Sequence, residues 1–356
     1  MISTQIEPAT NNQSDRKTIK CVVWDLDNTL WNGILLEDES VFLRNEVVEI
    51  IKTLDSRGIL QSVASKNDYE QAHAQLQAFG LSEYFLYPQI NWNSKVAAIR
   101  EIAKLLNIGI DAIAFIDDQP FELEEVNFSI PELLCLNAAN LDRLLDMPQM
   151  NPRFITEDSR QRRIMYISDI KRQNAEKEFI GSSEEFLATL KMNFTISSAK
   201  EEDLQRAEEL TVRTNQLNTT GYTYSYEELN QFRCSDKHKL LIASLSDKYG
   251  NYGKIGLALV ECQSNLWRIK LLLMSCRVMS RGVGTVMLNH IMNLAKNNNV
   301  CLEAEFISNN RNRMMYVAYK FAGFKEIKKQ DDLLILANDL TRIQSWPEYI
   351  KVQIID

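Results

Sequence analysis

Lys20-Cys21-Val22-Val23-Trp24-Asp25-Leu26-Asp27-Asn28-Thr29-Leu30-Trp31 decides how this chain is read. An apolar run stops at two carboxylates one residue apart, followed by a hydroxyl. Val22, Val23 and Trp24 have the character of a strand buried on both faces, from whose carboxyl end Asp25 emerges. That edge of an open α/β sheet is where ligands bind. Two acids so close repel each other unless a cation lies between them, so Asp25 and Asp27 suggest a shared hard metal ion. The alternative is a strand followed by a solvated acidic turn, and the residues that come next in order argue against it.

Three further polar groups follow at regular intervals. Ser65 closes Leu60-Gln61-Ser62-Val63-Ala64-Ser65, Lys95 opens a helical stretch after Trp92-Asn93-Ser94, and Asp117 and Asp118 follow Ala112-Ile113-Ala114-Phe115-Ile116. Helices are expected near 45–56, 68–79 and 94–106, the last with Val96, Ile99, Ile102, Ala103 and Leu106 at helical spacing. Gly58 and Gly80 follow such runs as helix-terminating glycines do. Alternating strand and helix implies a parallel sheet with helices on both faces. Roughly 35 residues separate Thr29 from Ser65 and about 30 separate Ser65 from Lys95. Each interval holds one crossover and leaves no room for a large inserted cap.

In order, these residues resemble the four motifs of the haloacid-dehalogenase-like phosphatases: D-x-D-x-T at Asp25 to Thr29, a hydroxyl at Ser65, a lysine at Lys95, and acids at Asp117 and Asp118. The longer stretches Trp24 to Gly33, Ser65 to Asp68 and Phe115 to Glu122 resemble the FkbH-like glyceryl transferase/phosphatases of polyketide pathways. The resemblance runs from about Lys17 to Ala337 and implies roles for each residue. Asp25 is the nucleophile and Asp27 the general acid/base. Mg²⁺ is held by Asp25, Asp27 through its carbonyl, and Asp117, with Asp118 and Glu122 beside it. Ser65, Lys95, Thr29 and Asn28 bind phosphate, while Trp31 and Gly33 shape the loop after the nucleophile.

The second half also mixes strand and helix. Ser280-Arg281-Gly282-Val283-Gly284-Thr285 resembles the R-G-x-G turn of GCN5-related acyltransferases, where N–H groups at a helix N-terminus cradle the pyrophosphate of coenzyme A. Asn312, Tyr319, Gly323 and Phe324 match a later element of that fold. Met279 departs from its pattern, and a glycine turn that only lets a helix pack closely is the alternative. The FkbH-like resemblance implies a cysteine that carries the acyl group as a thioester; Ser275-Cys276-Arg277 makes Cys276 the candidate, and Cys21 is its rival. Asn215 and Asn218 resemble the family's Asn-Gln-x-Asn segment and, with Arg277, Arg281, Gly282 and Gly284, are candidate contacts for the acyl chain or its carrier. Met147 to Pro152 breaks the chain, and the arginine-rich stretch from Thr156 to Phe179 reads as a long solvated helix. The three histidines, His73, His238 and His290, have no partners at ligand spacing.

The expected fold class is therefore α/β: a doubly wound parallel-sheet domain without a large cap, then a mixed α/β domain. The expected divisions are a flexible tail (1–17), a phosphatase domain (18–145), a helical linker (146–190), an acyltransferase-like domain (191–340) and a C-terminal extension (341–356). A formal net charge of −8 argues against nucleic acid as a partner. The polar start and the lack of a long apolar run point to a cytoplasmic protein with no membrane association. Six cysteines without a C-x-x-C pair indicate neither zinc nor disulfides. The resemblance implies 1,3-bisphosphoglycerate as substrate and an acyl carrier protein, through its phosphopantetheine arm, as acceptor. The alternatives are a Mg²⁺-dependent phosphatase with an acetyltransferase-like second domain, and a non-enzymatic carrier-protein docking scaffold.

Overall fold

The structure, a computed structural model, describes residues 18–355; the expected tail lies outside them. The chain divides between Ile167 and Ser168 into two units. The first is built on a five-stranded sheet in the order Gln89–Ile90, Leu60–Ser65, Cys21–Trp24, Ile113–Asp117, Leu134–Asn137. Every pairing in it is parallel. Cys21 to Trp24 are fully buried, as a central strand covered on both faces requires. The chain winds outward from this strand to one edge, then returns to wind the other way. Asp25 and Asp117 thus end the two strands that flank the reversal, where an α/β sheet opens a crevice.

The helices of this unit fix polar side chains at that edge. Asp68 accepts the Gln71 N–H and caps Tyr69–Ala78, and Ser94 accepts the Ala97 N–H and caps Lys95–Leu106. Lys95 is consequently the first residue of its helix. Asn45–Ser56 buries Val47, Ile50, Ile51 and Leu54 along one stripe. The doubly wound sheet without a large cap is as expected: between the first strand and Asn45 lies only a two-stranded ribbon, Trp31–Asn32 with Phe42–Leu43. That ribbon and the short edge strand Gln89–Ile90 lacked the length to register as sequence patterns.

The second unit is a mixed eight-stranded sheet, ordered Lys325–Gln330, Leu333–Asn338, Cys301–Ile307, Leu266–Met274, Gly250–Cys262, His238–Asp247, Met192–Ser198, Ile350–Ile355. One apolar cluster joins it to the helix Val283–Asn297 through Val283, Val286, Met287 and Ile291. A separate cluster includes Leu204, Ala207 and Leu210 of the helix Leu204–Arg213 and Leu229 of Tyr226–Arg233. Leu266–Met274 pairs with Cys301–Ile307 only from Leu266/Cys301 to Ile269/Ala304. Past that point the segment Leu217–Thr219 hydrogen-bonds to both strands. The Met274 N–H donates to the Leu217 carbonyl (2.9 Å), the Thr219 N–H to that of Leu272 (3.1 Å), and the Ile307 N–H to that of Thr219 (3.0 Å).

One expected division is corrected and another qualified. Residues 341–356 are not an appendage: Ile350–Ile355 pairs in parallel with Met192–Ser198 as part of the sheet. Residues 146–190 carry the expected helix, but it is not solvated throughout. The helix is interrupted at Gln161, between Glu157–Arg160 and Arg162–Glu178. Arg162 is buried and donates to the Gly58 carbonyl in the first unit (2.7 Å). Arg172 is 1% exposed in the second, where its fork holds both oxygens of Asp247 (2.6 and 3.0 Å) and it stacks on Tyr252. A full set of partners explains why a guanidinium tolerates that burial.

Candidate active site

Three strand ends and one helix start of the first unit bring the expected residues together. Lys95 Nζ contacts the Asp25 carboxylate directly and lies 3.1 Å from both Asp117 Oδ2 and Glu122 Oε2. The Ser65 hydroxyl hydrogen-bonds to Asp25. Asp25, Ser65, Lys95, Asp117 and Glu122 are each under a tenth exposed, and Asp118 is half-buried beside them.

Burial of like charges sets the electrostatics. Burial pushes the Asp25 carboxyl above its ordinary value against the pull of Lys95. Asp117 is pushed up to about 6, first by burial and then by the Asp25 charge. Asp118 is raised by burial and by Asp117. Burial would lower Lys95, but the Asp25 and Asp117 charges outweigh it and hold the ammonium well above its ordinary value. One lysine does not neutralise this set. Asp25, Asp117 and Asp118 each offer an oxygen, all within 4.8 Å of one another. The buried Asp118 Oδ1 has no hydrogen-bond partner. An orphaned acceptor among raised carboxylates is what a divalent, oxygen-preferring cation would satisfy.

The Asp27 carboxylate, expected as the general acid/base while the carbonyl meets the metal, is not one of the cluster's oxygens. It accepts the Trp31 indole N–H (2.8 Å), the Leu35 N–H (3.1 Å) and the Asn67 amide (3.0 Å), outside the three-acid cluster. Thr29 is fully buried and its hydroxyl has no hydrogen-bond partner. Asn28 has a left-handed backbone (φ 54°), and its Oδ1 accepts the Gly33 N–H (3.1 Å), closing the loop. Gly33 (φ 104°) leaves a space that a Cβ would fill to within 2.8 Å of Asp38 Oδ2.

Three residues matter more than their sequence signals. Glu122 is buried and bridges Lys95 to Lys66, whose Nζ lies 2.6 Å away. Burial would raise Glu122, but the Lys66 hydrogen bond and the Lys95 charge hold it below its ordinary value. Asn67, 1% exposed, holds Asp27. The position of Lys66 and Asn67 directly after the strand-closing Ser65 was the available clue.

The acyl-transfer candidates of the second unit fare differently. Cys276 is half-buried at the start of a short turn, Cys276–Val278. Cys21 is fully buried, and burial pushes its thiol far up, which fits a core residue and not a nucleophile. Arg277 donates to the Tyr252 carbonyl (2.9 Å) and Arg281 reaches Glu176 (3.4 Å). Gly282 has φ 80°, and a Cβ there would meet the Tyr349 hydroxyl at 2.9 Å, so the glycine admits the chain's own tyrosine. Gly284 has only an ordinary contact with Met274. Asn215 is exposed. Asn218 is fully buried: its Oδ1 accepts the N–H groups of Thr220 (3.1 Å) and Gly221 (2.9 Å), and its carbonyl accepts the Asn312 amide (3.0 Å). It is a turn-forming residue, not a ligand contact. Asn312 and Tyr319 are likewise fully buried.

No family model matches the chain. It is 28% identical over 145 residues to human magnesium-dependent phosphatase 1, an alignment spanning 35% of this chain and 82% of that protein. A magnesium-complexed structure of the phosphatase-containing N-terminal part of Bacteroides fragilis BF1531 is 31% identical, with a TM-score of 0.34. That match covers 38% of this chain and 40% of the other. The Escherichia coli ribosomal-protein-S18-alanine N-acetyltransferase structure is 17% identical (TM-score 0.33), covering 40% of this chain and 92% of the other. Among the described residues, no helix is long and apolar enough to cross a membrane.

Proposed function

We propose that the first unit is a Mg²⁺-dependent phosphatase and that the whole chain uses it within a glyceryl transferase. The observation that carries the phosphatase reading is the cluster of Asp25, Asp117 and Asp118 around Lys95, with the Asp118 oxygen left unpartnered. The likeness to a magnesium-dependent phosphatase supports the same choice of ion. Asp25, Asp117 and Asp118 would hold Mg²⁺, which supplies positive charge to the phosphoryl oxygens. Asp25 attacks phosphorus, the bond to the leaving oxygen breaks, and Asp27 protonates that oxygen. Water then attacks the aspartyl phosphate and gives its proton to Asp27. Lys95 orients and neutralises Asp25 so that an anion can approach an anion.

The finer reading rests on the FkbH-like resemblance. The substrate is 1,3-bisphosphoglycerate, its 3-phosphate removed at Asp25. Its acyl group passes to Cys276 as a thioester and then to the phosphopantetheine thiol of an acyl carrier protein. Sulfur displaces phosphate from an acyl phosphate, so the step requires no nucleotide. The close approach of Tyr349 to Gly282, in the turn that would cradle coenzyme A, favours this over acetyl transfer from that cofactor. Intact mass spectrometry of a phosphopantetheinylated carrier, incubated with the chain, Mg²⁺ and the acyl phosphate, should show a glyceryl adduct that Cys276→Ala abolishes while phosphate release continues. An acetyl adduct from acetyl-coenzyme A instead would establish the acetyltransferase alternative, and an unmodified carrier in both arms would leave the phosphatase alone.

A further inference from the structure

The two oxygens of Asp27 are engaged unequally. Oδ1 accepts two donors, the Trp31 indole (2.8 Å) and the Leu35 N–H (3.1 Å), whereas Oδ2 accepts only the Asn67 amide (3.0 Å). A carboxylate oxygen has about two acceptor positions, so Oδ1 is filled and Oδ2 keeps one. We infer that Oδ2 is the oxygen that gives and takes the proton, and that Asn67 is the positioning residue that aims it; this rests on the phosphatase reading above.

The surroundings of Asn67 fit that role. Its own Oδ1 accepts the Asp68 N–H (2.9 Å), which fixes the amide so that its NH₂ faces Asp27. Asp68 caps the helix Tyr69–Ala78, and Ser65, two residues before Asn67, ends a central strand. The amide is thus anchored on both sides by rigid elements and is 1% exposed. Trp31, fully buried against Phe79, holds the other oxygen. In the first step the phosphorus–oxygen bond to the leaving group breaks as Asp25 attacks, and the leaving oxygen takes the proton from Oδ2. In the second, water attacks phosphorus, the Asp25–phosphorus bond breaks, and the water proton returns to Oδ2. Asn67 touches no reacting atom in either step.

This role makes the cost of losing Asn67 depend on the leaving group. A p-nitrophenolate departs without help, whereas an alkoxide needs the proton. The full-length chain with Mg²⁺ is compared with Asn67→Ala and the near-isosteric Asn67→Asp in single-turnover reactions, enzyme in excess. Release of p-nitrophenol from p-nitrophenyl phosphate should stay within about 3-fold of wild type, which also reports an intact site. Release of glycerol from glycerol phosphate should fall about 10²-fold in both variants, with little change in the enzyme concentration that gives half the maximal rate, because a positioned acid contributes roughly 10²–10⁴-fold. Equal losses on both esters, or an Asn67→Asp variant as fast as wild type on glycerol phosphate, would overturn the assignment. A wild type that releases no more phosphate than Asp25→Asn from either ester would instead overturn the phosphatase reading on which it rests.

Discussion

At the carboxyl ends of the first unit's strands, carboxylates are buried with fewer partners than they can use. Around the glycine turn of the second unit, the motif residues are mostly paired by the chain itself. Asp117 and Asp25 are raised by burial and Asp118 keeps an orphaned oxygen. Asn218, Arg277 and Gly282 instead meet the Thr220 and Gly221 N–H groups, the Tyr252 carbonyl and the Tyr349 hydroxyl. The buried Arg281 Nε also lacks a partner, but Glu176 answers the Arg281 charge and no excess of one sign accumulates there. The difference teaches where a ligand is required. Uncompensated buried charge is costly and persists where something else completes it, whereas a satisfied turn is already structurally complete.

The sharpest break of this comparison is Asp25→Asn. Amide oxygen is a far weaker nucleophile, so phosphate release should fall on the order of 10³-fold or more. Removing one buried negative charge should leave the metal-free fold at least as stable by urea denaturation. Unchanged phosphate release would remove Asp25 from the chemistry.

Lys95→Met tests the charge balance directly. It leaves Asp25, Asp117 and Glu122 facing one another without their shared cation. Breaking a buried pair costs about 3–5 kcal/mol, and the urea midpoint of the metal-free protein should fall accordingly. Added Mg²⁺ should recover part of that loss. A Lys95→Met variant as stable as wild type without metal would mean that these carboxylates are already neutral.

The third test is pH. Asp117 sits at about 6 in the fold, above the ordinary carboxylate value near 3.9. A raised carboxyl contributes stability that is complete below the unfolded value and lost as pH rises through the folded one. The metal-free protein should therefore lose this contribution between about pH 4 and pH 6. Mg²⁺ requires the deprotonated acids and acts in the opposite sense. At a free concentration 100 times its dissociation constant it should add about 2.7 kcal/mol at pH 8, and progressively less below pH 6. A metal increment independent of pH, followed by thermal unfolding, would place the ion elsewhere.

Most of the first unit was legible because its candidate site residues end apolar runs. Asp25, Ser65 and Asp117 each mark the place where a buried strand reaches the sheet edge, and Lys95 follows a capping serine. Asn67 and Lys66 were not legible, since their partners Asp27 and Glu122 are 40 and 56 residues away. In the second unit, Ile350–Ile355 escaped notice because four of its six residues are exposed, so burial does not impose an apolar pattern on it. Arg172 escaped because a helix rich in charge reads as solvated, and only the Asp247 carboxylate, 75 residues on, reveals why it is not.

The smallest effect is at Gly282, and it probes the other side of the comparison. With φ at 80° a Cβ is strained whatever surrounds it, and the Tyr349 hydroxyl would lie 2.9 Å from that carbon. Gly282→Ala should cost about 1 kcal/mol for the backbone, plus a further contribution from the contact. Adding Tyr349→Phe removes the hydroxyl and should restore the contact part alone, so the double variant should lie between Gly282→Ala and wild type in its urea midpoint. Release of p-nitrophenol at the first unit's site should not change in either variant. If Gly282→Ala left stability untouched yet stopped transfer to a carrier, the glycine would be serving a ligand and not Tyr349. The turn would then belong with Asp25 and Asp117 among the parts of this chain that wait for something to bind.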